Sequence, residues 1–130
     1  LGNMASMASG GKIICTEKIA LGDYARFGSE AQIIDTNFHD LIDTQTGVKL
    51  QKSGPIFIGN YNFVSNRVSI MKGTQTPNFC TIASNSLCTK DYKNLGENIL
   101  IGGVPAKLIR NNISRDWVGE KEQLDDFLTI

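Results

Sequence analysis

Ile58-Gly59-Asn60-Tyr61-Asn62-Phe63, Val64-Ser65-Asn66-Arg67-Val68-Ser69 and Ile70-Met71-Lys72-Gly73-Thr74-Gln75 follow one another without a gap, each opening on an aliphatic residue. The column continues through Thr76, Ile82 and Cys88, and an earlier tract repeats it at Cys15, Leu21, Phe27 and Ile33; only Thr76 is polar. A period of six fits neither the 3.6 of a helix nor the alternation of an isolated strand. It fits a solenoid of short straight runs joined at regular corners, one side chain pointing inward per run. A second column, four residues later, runs through Ile19, Ala25, Ala31, Val68, Thr74, Cys80 and Ser86. Its members are mostly small, as a tight corner demands.

The two tracts are out of phase, because Ile33 and Ile58 lie one residue more than four hexads apart. The extra chain is a loop from His39 to Phe57. It carries Asp40, Asp43, Lys49 and Lys52, holds Gly47, and closes on the turn formers Ser53, Gly54 and Pro55. A long loop inside a small domain usually has a functional reason, and this one opens on the only histidine in the chain.

At 130 residues the chain makes one domain, and its 13 basic and 13 acidic residues cancel. With no block of like charge, nucleic acid and anionic membrane are poor partners. No apolar run approaches the roughly 18 to 20 residues that cross a bilayer. Leu1 to Ser9 lacks the basic and apolar regions of a signal peptide. Its repeated Met-Ala-Ser reads as an appended remnant, so residues 1–11 are expected to form a lead-in outside the fold. The cysteines Cys15, Cys80 and Cys88 all fall on inward columns and are expected to be small buried hydrophobes. Their spacing matches no zinc motif, and their odd number argues against a disulfide framework. A reducing cytoplasm and no metal are expected.

After Lys93 the hexads fade into Gly102-Gly103-Val104-Pro105-Ala106-Lys107, where two glycines and a proline mark a turn leaving the last coil. From Ser114 onward the chain reads as a helix, capped by Ser114 or Asp116, with Trp117, Leu124, Phe127 and Leu128 on one stripe. That helix is expected to pack over the end of the solenoid and cover its strand edges.

Hexads such as Leu21-Gly22-Asp23-Tyr24-Ala25-Arg26, together with Ser86-Leu87-Cys88-Thr89-Lys90-Asp91 and Gly103-Val104-Pro105-Ala106-Lys107, resemble the hexapeptide-repeat acyltransferases. Within them the chain is most similar to the maltose, galactoside and bacterial polysaccharide O-acetyltransferases. The resemblance covers roughly Lys12 to Arg110. It implies an all-β fold, a left-handed parallel β-helix of hexapeptide repeats spanning 12–110 with the inserted loop, followed by the helical tail 111–130. It also implies a homotrimer with active sites between subunits, and acetyl-coenzyme A as donor.

Acetyl transfer to a sugar hydroxyl needs a base, and imidazole, with an ordinary pKa of about 6.5, is poised to act as one near neutral pH. By the resemblance, His39 in Asp35-Thr36-Asn37-Phe38-His39 holds the catalytic position, and Asp35 or Asn37 orients its ring or contacts the acceptor. The tetrahedral intermediate needs an N–H donor for its oxyanion. The resemblance assigns that donor to the backbone of Asn66, while Phe63 stands in the acceptor pocket where relatives carry tryptophan. Ser84 and Asn85 replace a glycine-rich stretch along which the pantetheine arm runs. Thr89, Lys90, Lys107 and Arg110 match positions lining the phosphate end of the coenzyme, and Lys107 and Arg110, three apart, can flank one phosphate.

The expected function is therefore transfer of acetyl from acetyl-coenzyme A to a hydroxyl of a sugar or polysaccharide precursor. N-acetylation of an amino-sugar nucleotide is the alternative, and a non-enzymatic scaffold comes third. A zinc enzyme on this fold would need about three histidines at one site, and two neighbouring subunits with one each do not supply them.

Overall fold

Runs of two or three residues are too short to satisfy their backbone alone, so each pairs with the run one coil away. The computed structural model describes the backbone of residues 1–128 and the side chains of residues 1–126. In chain order the strands are β1 (Ser6–Met7), β2 (Lys12–Ile14), β3 (Ile19–Leu21), β4 (Arg26–Phe27), β5 (Gln32–Ile34), β6 (Ile56–Ile58) and β7 (Phe63–Val64). β8 (Ser69–Met71), β9 (Cys80–Ile82), β10 (Leu87–Cys88), β11 (Ile99–Gly103) and β12 (Ala106–Asn111) follow, and α1 (Trp117–Leu128) ends the described chain.

They form three faces of a parallel β-helix. Face A stacks β1, β4, β7, β9 and β11 in parallel and adds β12 antiparallel at its edge. Face B stacks β2, β5, β8 and β10, and face C pairs β3 with β6 and continues through single bridges at Gln75 and Asp91. Both sequence columns point inward: Phe27, Ile33, Val64, Ile70, Ile82 and Cys88 form the core, and Ala25, Ala31, Val68, Thr74, Cys80 and Ser86 fill its corners. Thr76 is tolerated on the apolar column because its hydroxyl donates to Asn62 Oδ1 (2.7 Å) and accepts from the Gly59 N–H (3.0 Å). Asn62 in turn donates to the Pro77 carbonyl, so this buried polar pair is satisfied.

The corners leave backbone N–H groups without ladder partners, and side chains supply them. Asp23 Oδ1 accepts from the Asn3 N–H, Asn60 Oδ1 from Asp23 N–H and Asn78 Oδ1 from Asn60 N–H, each one coil apart. Left-handed corner residues stack their rings: Tyr24, Tyr61 and Phe79, at φ 55°, 50° and 54°, lie 5.0 and 5.1 Å apart. Gly59 shows why this stack is so close. A Cβ there would come within 2.5 Å of the Pro77 carbonyl oxygen in the next coil.

Four expectations need correction. Residues 1–11 are not outside the fold: β1 pairs with β4, and Ala5 and Met7 pack against the core. Cys15 is exposed. In the end coil Ile13 holds the place opposite Ile33, and the chain then widens through residues 15–18 before β3, so a hexad counted back from Leu21 falls two residues short, on Cys15. The excursion runs from Thr36 to Gly54, ending sooner than Phe57, because Ile56 is already buried against Ile19. It is a hairpin, with Leu50 N–H donating to the Leu41 carbonyl and Asp43 N–H to the Val48 carbonyl. The helix does not cap the end of the solenoid. The end strand β11 is covered by β12, and α1 lies alongside face A, where Trp117 meets Tyr61 edge-on at 5.5 Å. Asp116 is its cap, accepting from the Gly119 N–H at 2.9 Å. Of the proposed stripe, the side chains of Phe127 and Leu128 lie outside the described residues.

Ile70 is fully buried on the inward column of face B. Ile70→Val removes one methylene from that column and is expected to cost about 1 kcal/mol of stability. Urea unfolding measures it, and an unchanged midpoint would mean that the column is not close-packed.

Candidate active site

The hairpin lifts His39 clear of the coil stack. Its base is fixed by the Asn37 N–H donating to the Lys52 carbonyl (2.9 Å) and by the Ser53 hydroxyl donating to Thr36 Oγ1 (3.0 Å). Phe38 takes a left-handed conformation, φ 63°, and the chain turns outward there. His39 is exposed and makes no hydrogen bond among the described residues. Asp40, next to it, faces Lys49 of the opposite arm at 3.8 Å.

Asp35 does not face His39. Its carboxylate is buried and closes the corner of the coil below, accepting from the Thr16 N–H and hydroxyl on Oδ1 and from the Glu17 and Lys18 N–H groups on Oδ2, at 2.7 to 2.9 Å. Burial alone would raise its pKa, but those donors outweigh it and hold the carboxyl below its ordinary value. Its role is to build the corner, so the expected contact with the ring or the acceptor is withdrawn. Asn37, by contrast, lines a cavity of about 400 Å³ on face B, where it joins Thr89, Gln32 and Ser69.

Asn66 and Ser84 occupy the edge where face A turns into face B, on consecutive coils. The Asn66 side chain accepts from the Ser29 N–H (2.9 Å), whereas its own N–H donates to no acceptor among the described residues. That amide is the kind of free donor an oxyanion requires. Arg67, next to it, donates to Asn85 Oδ1 at 3.0 Å, which ties these two coils together along the edge. Ser84, Thr89 and Lys90 are all exposed.

Lys107 and Arg110 belong to β12, where a spacing of three would place them on opposite faces of a regular strand. A register shift corrects this: Lys107 pairs with Gly102 and Arg110 with Leu100, leaving Ile109 as the extra residue. Both cations therefore share the face of Leu100, away from the buried Ile99 and Ile101. Phe63 points outward from face A, with the Arg115 guanidinium 4.9 Å from its ring centre. The Trp117 ring lies 4.4 Å from the same guanidinium, and together these residues line a cleft of about 1000 Å³ between face A and α1. Sequence reasoning missed Arg115 and Arg26, because hexad counting reveals inward positions and says nothing of what covers a face. The two inward thiols are inert: burial pushes Cys80 and Cys88 up to about 12.

No protein-family profile and no curated protein sequence matches the chain. Solved structures do. The polySia-specific acetyltransferase NeuO superposes with a TM-score of 0.81 at 20% identity, covering 97% of this chain and 56% of that one. Galactoside acetyltransferase in complex with coenzyme A gives 0.63 at 22% identity, covering 83% and 55%. The Bacillus cereus N-acyltransferase AntD, in complex with dTDP-4-amino-4,6-dideoxyglucose and coenzyme A, gives 0.68 at 15% identity, covering 94% and 67%. The chain thus spans little more than half the length of NeuO. The expectation drawn from its hexads is met at the level of architecture: this chain has the fold of the hexapeptide-repeat acetyltransferases.

Proposed function

We propose that this protein transfers an acetyl group from acetyl-coenzyme A to a hydroxyl of a sugar or polysaccharide precursor, with His39 as general base. The observation that carries this reading is the fold likeness to an acetyltransferase along 97% of the chain. Acetyl-coenzyme A, when bound, supplies the acetyl group as a thioester. The free Nε2 or Nδ1 of His39 would take the proton of the acceptor hydroxyl as that oxygen bonds to the acetyl carbon, and would return it to the coenzyme A thiolate as the C–S bond breaks. The Asn66 N–H receives the negative charge that develops on the acetyl oxygen. Ser84 holds the pantetheine arm, and Thr89, Lys90, Lys107 and Arg110 meet the phosphate end of the coenzyme. Asn37 and Phe63 contact the acceptor.

His39 leaves the coil where face B meets face C, whereas Asn66 and Ser84 stand where face A meets face B. Face B lies between the base and the donor of one chain. A homotrimer joins them, the hairpin of one copy reaching the A–B edge of the next. The hairpin is suited to such a contact, since Phe38, Leu41, Ile42, Val48 and Leu50 are all more than half exposed. Light scattering is expected to give three times the 14.2 kDa of the chain. A stable monomer at micromolar concentration would remove the intersubunit site.

A second reading, N-acetylation of an amino sugar, is favoured by the likeness to AntD. Release of coenzyme A thiol from acetyl-coenzyme A, measured against neutral sugars, polysaccharides and amino-sugar nucleotides, separates the two. Turnover with a sugar that has hydroxyls and no amine supports O-acetylation, turnover restricted to amines supports the second reading, and none with any acceptor defeats both. In the same assay Lys107→Ala is expected to raise KM for acetyl-coenzyme A about tenfold, with kcat preserved.

A further inference from the structure

The cleft between α1 and face A is built by outward side chains of the hexads together with residues of the C-terminal segment, and has a specific chemistry. Its floor carries Phe63 and Arg26, and its far wall carries Trp117 and Arg115. The Arg115 guanidinium lies against both the Phe63 and Trp117 rings and is pinned through Nε to Glu120 at 2.9 to 3.0 Å. Its two Nη groups donate to nothing among the described residues. Arg26 lies over Tyr24 and donates through Nη1 to Ser6, and no carboxylate pairs with it among the described residues. Trp117 Nε1 is sealed from solvent and has no hydrogen-bond partner among the described residues. A buried indole N–H normally finds an acceptor, and none of the described residues supplies one here.

Aromatic side walls, a row of fixed N–H donors and a volume at the upper end of enclosed ligand pockets describe a site for a ring that is apolar on its face and oxygen-rich at its edge. The lining charges balance, with Arg26, Arg115 and Lys121 against Glu120, Glu122 and Asp125. That balance suits hydroxyls better than a multiply charged ligand. We infer that this cleft binds sugar units of a glycan, with Trp117 and Arg115 as its specificity-determining residues. The inference rests on the reading of a sugar acceptor and gives that acceptor a place, where the helical tail meets face A of the solenoid.

Trp117 is the only tryptophan in the chain, so its fluorescence reports on the cleft directly. Titration of the intact protein with maltoheptaose, and separately with an oligogalacturonate, is expected to give a saturable change with at least one. A response to the neutral chain alone assigns the recognition to hydroxyls; a response to the carboxylated chain alone adds Arg26 as its partner. Arg115→Ala should weaken the binding about tenfold or more, and Trp117→Phe, which keeps a ring but deletes the N–H and the fluorophore, by a smaller factor read by isothermal titration calorimetry with the same glycans. For whichever glycan is acetylated, both variants should raise the glycan KM while leaving KM for acetyl-coenzyme A unchanged. No saturable change with either glycan, or a change that follows protein concentration alone, overturns the proposal and makes the cleft a contact between copies. Binding without acetyl transfer would keep the cleft and remove the transferase reading. Transfer with an unaltered glycan KM in Arg115→Ala would do the opposite.

Discussion

His39→Ala is expected to lower kcat by about 10²- to 10⁴-fold, the contribution of a well-placed general base, while KM for acetyl-coenzyme A stays as it was. The separation follows from where the groups stand. His39 is on the hairpin, beyond the corner after β5, whereas the cations proposed for the coenzyme phosphates are on β12, at the last coil. The substitution removes no hydrogen bond and no buried surface, since His39 is exposed and makes none among the described residues. Loss of activity therefore cannot be confused with loss of fold, and thermal unfolding of the variant should match that of the parent. Steady-state kinetics on whichever acceptor turns over is the measurement. Near-normal kcat in the variant would eliminate His39 as the base, and the fold assignment would be untouched.

Asp35 should behave in the reverse manner. Asp35→Ala strips the acceptor from three backbone N–H groups and one hydroxyl at the corner of the end coil, and is expected to cost about 3 to 5 kcal/mol of stability, with water replacing part of the loss. The donors hold the folded carboxyl below its ordinary value of 3.8 despite burial. A group whose folded pKa is depressed stabilises fully above its unfolded pKa. Its contribution is therefore complete above about 3.8 and is lost as the pH falls through the lower folded value. Urea unfolding of wild type between pH 5 and pH 3 should show this loss, and Asp35→Asn should flatten that part of the profile. An Asp35→Asn protein with the parent's stability and the parent's acid dependence would show that the carboxylate does not hold the corner.

The inward columns were legible because a hexad solenoid exposes one residue type to one environment again and again. Ile33, Ile70 and Ile82 are interchangeable in that sense, and their burial followed from spacing alone. What spacing does not record is a change of spacing. The two-residue widening around the Asp35 carboxylate moved Cys15 to the surface, and no local signal in Cys15-Thr16-Glu17-Lys18 announces it. Asp35 itself was misread for a related reason. A buried aspartate closing a corner and a catalytic aspartate beside a histidine look alike until the donors around them are known. Asn62 was overlooked because the second column was read for small and apolar residues, although it lies on that column and is fully buried. The candidate site was visible only as separate residues. Their arrangement on two edges of face B depends on three-dimensional stacking, as does the shift at Ile109 that brings Lys107 and Arg110 to one side.

The buried pair Thr76 and Asn62 has a consequence for how the chain finds its alignment. A six-residue repeat invites slippage, because moving one coil by a whole hexad exchanges one apolar residue for another at nearly every place of the first column. Two complementary polar residues make those alternatives unequal. With Thr76 displaced by six, the Asn62 amide would face an aliphatic neighbour, and an unsatisfied buried amide costs about 1 to 3 kcal/mol. The one polar break in an otherwise uniform column thus acts as a registration mark, rejecting misaligned coils that an entirely aliphatic column would accept.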